Sequence, residues 1–112
     1  MNIQIFGKKK CFDTKKAERY FKERRIKVQR IDIISKGLSN GELNSVLQSI
    51  KMEDLVDPSS SYYHESLYEY TSDKERKKEI LLEYPEILKT PIVRNGKKAT
   101  LGYQPDVWKT WE

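Results

Sequence analysis

Apolar and polar positions follow one another along the chain in a pattern that predicts an α/β protein. Asn2–Phe6 alternates between apolar and polar side chains, which is typical of a short strand. A loop over Gly7–Lys10 follows, and from Phe12 onward the apolar residues recur at helical spacing. Residues 26–34 are rich in β-branched side chains and predict a second strand. The chain therefore opens with a β-α-β unit.

The middle of the chain predicts helices. Ser39 followed three residues later by Glu42 is a capping-box signature, and a run of apolar residues at helical spacing comes after it. Ser72 and Glu75 repeat the signature ahead of a helix that reaches about residue 84. Residues 52–70 lie between these helices and contain a proline and several tyrosines. We expect short helical pieces around a loop in this segment.

The last third predicts two strands and a closing helix. Residues 90–93 form a strand entered through Pro91, and Asn95-Gly96 is the strongest short hairpin signal in the chain. Residues 99–103 supply the returning strand. Pro105 favours a helix over residues 106–111, because proline is tolerated in the first helical turn. The side chains expected to dock this helix on the sheet are Val107, Trp108 and Trp111.

This order of elements predicts a fold class. A β-α-β unit, a helical middle and a β-β-α unit build a mixed sheet with helices on its faces. The length of 112 residues suits one domain, which we expect to span residues 1–112 with a helical insertion at about 36–84.

Charge is unevenly distributed over the chain. Up to Arg30 there are eleven Lys and Arg against three acidic residues, a charge of +8, and the remainder carries −3. One interpretation is a solvated face of an amphipathic helix. The other is a basic field that attracts an anion or stabilises a thiolate. Direct contact with nucleic acid is not expected, since no groove-reading motif accompanies the charge.

Neither a membrane span nor a secretory signal is visible. No apolar run approaches about 18 residues, and the lysines at 8–10 follow the short apolar start instead of preceding it. We therefore expect a cytoplasmic protein without a membrane partner.

Cys11 is the candidate reactive residue. It is the single cysteine, so it forms no disulfide within the chain, and it lies directly before a helix. The N–H groups of a helix N-terminus favour a thiolate, and Lys8, Lys9 and Lys10 add positive charge. Thr14 is either a polar residue of the helix start or a hydrogen-bond donor to the thiolate. The alternative interpretation of Cys11 is a small buried apolar residue.

His64 is the one other soft ligand in the chain, so we expect no metal site. As a base for Cys11 it is the weaker of two interpretations, the other being a surface or packing residue.

The residues around Cys11 also resemble those of a known family. The chain is similar to the arsenate-reductase-like family, which includes glutaredoxin-coupled arsenate reductases and Spx-type transcription regulators. The resemblance rests on Ile3–Ile5, Phe6-Gly7, Cys11, Asp13–Ala17, Pro85–Val93 and the Gly102 region. It implies an α/β, thioredoxin-like mixed sheet with a helical insertion. It also implies a cis peptide between Thr90 and Pro91 that faces the cysteine.

The resemblance implies two functions. One is a thiol-dependent oxidoreductase in which Cys11 forms a mixed disulfide with glutathione or another small thiol, with a glutaredoxin- or thioredoxin-type reductant and no bound cofactor. The other is a non-enzymatic, Spx-type protein that binds the transcription machinery. Because the chain has Thr14 where Spx-type regulators often have a second cysteine, a two-cysteine switch is excluded.

Two departures from the reductases argue against efficient arsenate reduction. The reductases carry an arginine directly before the proline, where this chain has Thr90, and another in the middle segment, where it has residues 57–61 (DPSSS). The fixed fork of arginine holds a tetrahedral oxyanion better than serine or lysine does. Arg94 and Lys89 are the candidate substitutes, and Arg94 is predicted to bind an anion near the thiolate.

Overall fold

The computed structural model describes residues 1–112, and its elements follow the predicted order. The strands are β1 (Ile3–Gly7), β2 (Val28–Asp32), β3 (Ile92–Asn95) and β4 (Lys98–Leu101). The α-helices are α1 (Phe12–Glu23), α2 (Ile33–Lys36), α3 (Asn40–Leu47), α4 (Met52–Leu55), α5 (Tyr63–Ser66), α6 (Lys74–Glu83) and α7 (Pro105–Trp108). Short 3₁₀ helices occupy Tyr68–Tyr70, Pro85–Ile87 and Lys109–Trp111. The predicted mixed α/β class is confirmed.

The strand order in the sheet is β2-β1-β3-β4. β1 runs parallel to β2 and antiparallel to β3, and β3 runs antiparallel to β4. Phe6, near the end of β1, pairs with Ile92 at the start of β3. Because antiparallel neighbours place the end of one strand beside the start of the other, the loop after β1 meets the segment before β3. The candidate site lies at this edge of the sheet.

Two hydrophobic cores cover the two faces of the sheet. Alternation along β1 sends Ile3 and Ile5 to one face and Phe6 to the other. The first core joins α1 and α7 to the sheet through Ile3, Ile5, Ala17, Tyr20, Phe21, Val93 and Trp108. The second lies under the helices between β2 and β3 and includes Phe6, Ile33, Leu43, Val46, Leu81 and Ile92.

Local signals set two boundaries as predicted. The Ser39 hydroxyl accepts the Glu42 N–H at 3.1 Å, and the Glu42 carboxylate accepts the Ser39 N–H at 2.9 Å. This capping box confirms the start of α3. Between β3 and β4, Gly96 has φ of +61°, which a two-residue hairpin connection favours.

Three predicted details are wrong. β2 ends at Asp32, whose carboxylate accepts the Ile34 N–H at 2.9 Å and begins α2, so a helix cap outweighs the β-branched pair at 33–34. Asp73, not Ser72, caps α6 by accepting the Arg76 N–H at 3.0 Å. Trp108 is fully buried as expected, but Val107 is 39% exposed because α7 is a single turn and the chain tightens to 3₁₀ after it.

The middle segment consists of short helical pieces, as predicted. α4, α5 and the 3₁₀ helix Tyr68–Tyr70 lie on either side of a turn at residues 57–61. No helix in the chain is both long enough and apolar enough to cross a bilayer.

Candidate functional site

Cys11 lies at the N-cap of α1, at the sheet edge described above. Its backbone is extended, and its carbonyl accepts the Lys15 N–H at 3.3 Å to begin the helix. The Cys11 N–H donates to the Lys8 carbonyl at 3.1 Å, which closes the preceding loop. The Thr90–Pro91 peptide is cis, as the resemblance implies, and the Cys11 thiol donates to the Thr90 carbonyl at 3.5 Å. The cysteine and the cis-proline segment therefore face each other.

The Thr14 side chain is buried beside Cys11 in the first turn of α1. It is 6% exposed, and its hydroxyl has no hydrogen-bond partner of standard geometry. Gly7 makes room for it, because a β-carbon on Gly7 would collide with the Thr14 side chain. A buried hydroxyl without a partner costs roughly 1–3 kcal/mol. The sulfur of Cys11 is the acceptor within its reach, and a thiolate accepts better than a thiol.

The surroundings lower the pKa of Cys11 below the ordinary value of a thiol. Burial by itself raises this pKa, but the hydroxyls of Thr14 and Thr90 and the N–H groups of Thr14 and Asp13 favour the thiolate and outweigh it. The Cys11 sulfur does not cap the helix with a hydrogen bond from a backbone N–H group. The N–H groups of the first turn of α1 therefore act on the sulfur at longer range. A thiolate at the start of a helix is the nucleophilic form of cysteine.

Of the three lysines before Cys11, Lys8 is the one at the site. Its ammonium donates to the carbonyls of Glu86 at 3.1 Å and Leu88 at 2.7 Å. These bonds join the loop after β1 to the segment before the cis-proline. Burial lowers the pKa of Lys8, and the negative charges of Asp57, Cys11 and Glu86 counteract that shift. Lys8 therefore holds two segments together and places a cation near the sulfur.

The other basic residues predicted near the thiolate lie outside its groove. Lys9 and Lys10 are exposed and do not line the groove around Cys11. Arg94, predicted to bind an anion near the thiolate, does not line the groove around Cys11. Its Nε donates to Gln4 Oε1 at 2.8 Å, and a second guanidinium nitrogen contacts the same oxygen. Gln4 is its register partner on β1, so Arg94 lies two residues beyond Ile92, away from the cis-proline.

An open groove of about 410 Å³ runs past Cys11. Its walls come from the loop after β1, the middle segment, the cis-proline segment and the end of β4. The lining residues are Lys8, Cys11, Asp13, Asp57, Leu88, Lys89, Thr90, Leu101 and Gly102. The lining contains two lysines and two aspartates, and no arginine contributes to it.

Asp57 lines the groove, although the sequence predicts no functional role for this residue. Its carboxylate accepts the Ser59 N–H at 3.0 Å and the Ser59 hydroxyl at 2.6 Å. These hydrogen bonds lower the pKa of Asp57, burial counteracts them, and Lys8 and Lys89 lower it further. The Asp-Pro-Ser run is a turn signal that identifies this local structure. Its position beside Cys11 depends on tertiary packing, which no local pattern reports.

His64 lies outside the site. Its Nδ1 is 2.6 Å from a carboxylate oxygen of Glu69, its side chain is 81% exposed, and it does not line the groove. This placement agrees with a surface role for His64. In this structure His64 does not act as a base for Cys11.

A cysteine at a helix N-cap that faces a cis-proline across the edge of a mixed sheet defines a thioredoxin-like protein with a potential thiolate nucleophile. The sequence profile of the ArsC family matches residues 6–111, which is nearly the whole chain. The protein belongs to the ArsC family.

Proteins similar to this chain include a transcriptional regulator and, by fold, an arsenate reductase. The chain is 28% identical over 109 residues to the global transcriptional regulator Spx 2 of Oceanobacillus iheyensis, covering 95% of this chain and 80% of that protein. A putative ArsC family related protein from Bacteroides fragilis superposes with a TM-score of 0.84 at 19% identity, over 100% of this chain and 98% of that one. An arsenate reductase from Vibrio cholerae gives a TM-score of 0.82 at 20% identity, over 96% and 94%. These likenesses confirm the thioredoxin-like fold.

Proposed function

We propose that this protein is a thiol-dependent oxidoreductase whose Cys11 thiolate forms a mixed disulfide with an external thiol such as glutathione. The observation that carries the proposal is the environment of the sulfur. Cys11 lies at the N-cap of a twelve-residue helix, with the unpartnered Thr14 hydroxyl buried beside it and the cis-proline segment opposite. This environment favours the thiolate.

The proposed step is thiol–disulfide exchange. The Cys11 thiolate attacks one sulfur of a small disulfide, and the bond between the two sulfurs of that disulfide breaks. A new S–S bond joins Cys11 to the attacked sulfur, while the other sulfur leaves as a thiolate and takes a proton from water. The Cys11 sulfur is oxidised to the disulfide level, and the departing sulfur of the small disulfide is reduced to a thiol.

Completing a cycle requires an external thiol, because Cys11 is the single cysteine of the chain. A thiolate of glutathione, or of a glutaredoxin- or thioredoxin-type protein, attacks the outer sulfur of the mixed disulfide and releases Cys11 as a thiolate. In this scheme Thr14 and Lys8 stabilise the charge on sulfur, and Thr90 and Pro91 form the wall against which the partner lies. No bound cofactor takes part.

Replacing Cys11 with serine is expected to abolish this exchange. Wild-type protein incubated with oxidised glutathione at neutral pH gains one glutathionyl group by intact-mass spectrometry, and Cys11→Ser gains none. The same cysteine in urea-denatured wild type serves as the matched control. It reacts several-fold more slowly at neutral pH, since an unfolded thiol with a pKa of about 8.5 is mostly protonated there. Equal rates for native and denatured protein would remove the support for this function.

A second function, regulation of transcription by protein binding, is favoured by the similarity to Spx 2. Phe12, directly after Cys11, is 80% exposed and offers an apolar contact to a protein partner. The substitutions Cys11→Ser and Phe12→Ala are expected to affect the two functions differently. Regulatory binding survives that substitution and weakens in Phe12→Ala, whereas thiol exchange is lost in Cys11→Ser. A binding assay with both variants separates them.

A further inference from the structure

The groove beside Cys11 carries equal numbers of positive and negative side chains before the thiolate is counted. Lys8 and Lys89 contribute the cations, and Asp13 and Asp57 contribute the anions. Asp13 also pairs with Lys16 outside the groove at 3.9 Å. Asp57 is therefore the carboxylate that faces the two groove cations.

Asp57 is fixed in its position by backbone and side-chain bonds. Its N–H donates to the Ile87 carbonyl at 2.8 Å, next to the bridge between Val56 and Leu88. Its carboxylate oxygen Oδ1 is held by the N–H and the hydroxyl of Ser59. Because Ser59 holds the Oδ1 atom and Ile87 holds the backbone, the Asp57 carboxylate stays in the groove wall and does not move aside for a ligand.

The groove cations are already engaged. Two of the three Lys8 donors bind the carbonyls of Glu86 and Leu88, and Asp57 is the largest of the opposing charges that act on Lys8. Lys89, which is exposed, also acts on Asp57. An oxyanion that entered this groove would meet the Asp57 carboxylate and the Cys11 thiolate, with no arginine to compensate.

We propose that Asp57 is a specificity-determining residue, a built-in anion that neutralises Lys8 and Lys89 and keeps inorganic oxyanions away from Cys11. Peptide disulfides such as oxidised glutathione remain acceptable, because their charged groups lie several bonds away from the sulfurs, whereas the charge of an inorganic oxyanion lies on the atoms that would enter the groove. This proposal rests on the thiol-exchange function proposed above and names the substrates that the function admits.

The test is protection of Cys11 by sulfate, an oxyanion that does not react with thiols. Iodoacetamide alkylation is followed with and without sodium sulfate, at an ionic strength matched with sodium chloride and at a pH where Cys11 is fully ionised. Wild type is expected to alkylate at the same rate in both salts. Asp57→Asn keeps the acceptor oxygen for Ser59 but frees the two cations, and sulfate is expected to slow its alkylation roughly fivefold and saturably.

Asp54→Asn is the matched control, since Asp54 is exposed on α4 and does not line the groove. It should behave as wild type. Circular dichroism checks the fold of each variant, and Asp57→Ser is a second replacement should the asparagine variant unfold. Sulfate protection of wild type, or no protection in a folded Asp57 variant, would overturn the proposal.

Amide chemical shifts separate this proposal from the proposed function. On addition of sulfate, the ¹⁵N–¹H signals of Lys8, Cys11 and Thr90 should move in Asp57→Asn and stay in place in wild type, whether or not Cys11 reacts. A Cys11 that forms no mixed disulfide therefore contradicts the thiol-exchange function alone. Shifts that appear equally in both proteins contradict the role of Asp57 alone.

Discussion

Replacing Trp108 with alanine is expected to destabilise the protein by about 3–5 kcal/mol. Trp108 is fully buried in the core between the sheet and α1. Its ring lies 5.1 Å from the rings of both Tyr20 and Phe21 and 5.6 Å from Tyr103, and its Nε1–H donates to the Thr100 hydroxyl at 2.8 Å. Removing the indole leaves a cavity in this core and also leaves the Thr100 hydroxyl without its donor. For a domain with about 5–15 kcal/mol of total stability, this is a large fraction.

Urea unfolding followed by circular dichroism measures the loss. Trp108→Phe keeps most of the apolar volume and gives up the Nε1–H bond, so it should cost about 1 kcal/mol for the bond plus a smaller packing term. Trp111→Ala is the control, because Trp111 is only partly buried, at the edge of the same core. If Trp111→Ala destabilised the protein as much as Trp108→Ala, the account of this core would be wrong.

Replacing Lys8 with methionine is expected to lower both the stability of the fold and the reactivity of Cys11. Methionine keeps the length of the side chain but donates nothing to the carbonyls of Glu86 and Leu88. Losing two charge-assisted hydrogen bonds costs roughly 2–4 kcal/mol. The pKa of Cys11 also rises in this variant, since a nearby cation that favours the thiolate has been removed.

Lys9→Met serves as the comparison, with the same change of residue next to Lys8. Lys9 is exposed, so the free energy of unfolding of Lys9→Met should stay within about 0.5 kcal/mol of the wild-type value. Denaturant midpoints and alkylation rates at neutral pH are measured for both variants. Equal effects of the two substitutions would show that general positive charge, and not the bonds of Lys8, matters at the site.

Much of the fold was predictable because local patterns and the long-range packing agree. The hairpin at Asn95-Gly96, the capping box of Ser39 and Glu42, and the helix after Cys11 each have a signal within a few residues. The end of β2 did not follow from propensity. Ile33 and Ile34 have β-branched side chains, yet the cap supplied by Asp32 begins a helix there.

From local patterns alone the site was predictable only where it depends on neighbours in sequence, and the cis-proline opposite Cys11 followed from the family resemblance. Cys11 and Thr14 lie in one helical turn, so their association follows from helix geometry. Lys8 bonds carbonyls 78 and 80 residues away, and this distant partnership has no local signature. Arg94 failed as a prediction for a related reason. Proximity in sequence to Pro91 did not reveal that strand register places it opposite Gln4.

The lowered pKa of Cys11 also has a consequence for stability. A group with a lower pKa in the folded state stabilises that state above its unfolded pKa, and the contribution is lost as pH falls through the folded pKa. The free energy of unfolding of wild type, relative to Cys11→Ser, should therefore rise with pH up to the ordinary thiol range near 8.5.

Whether the fold holds Cys11 as a reactive thiolate is decided by the pH dependence of its alkylation with iodoacetamide. The rate for native wild type should reach its plateau at a lower pH than the rate for the urea-denatured chain. Thr14→Val, which keeps the shape of the side chain but removes the hydroxyl, should move the native curve to higher pH. A native curve that coincides with the denatured one, or lies above it in pH, would contradict the account.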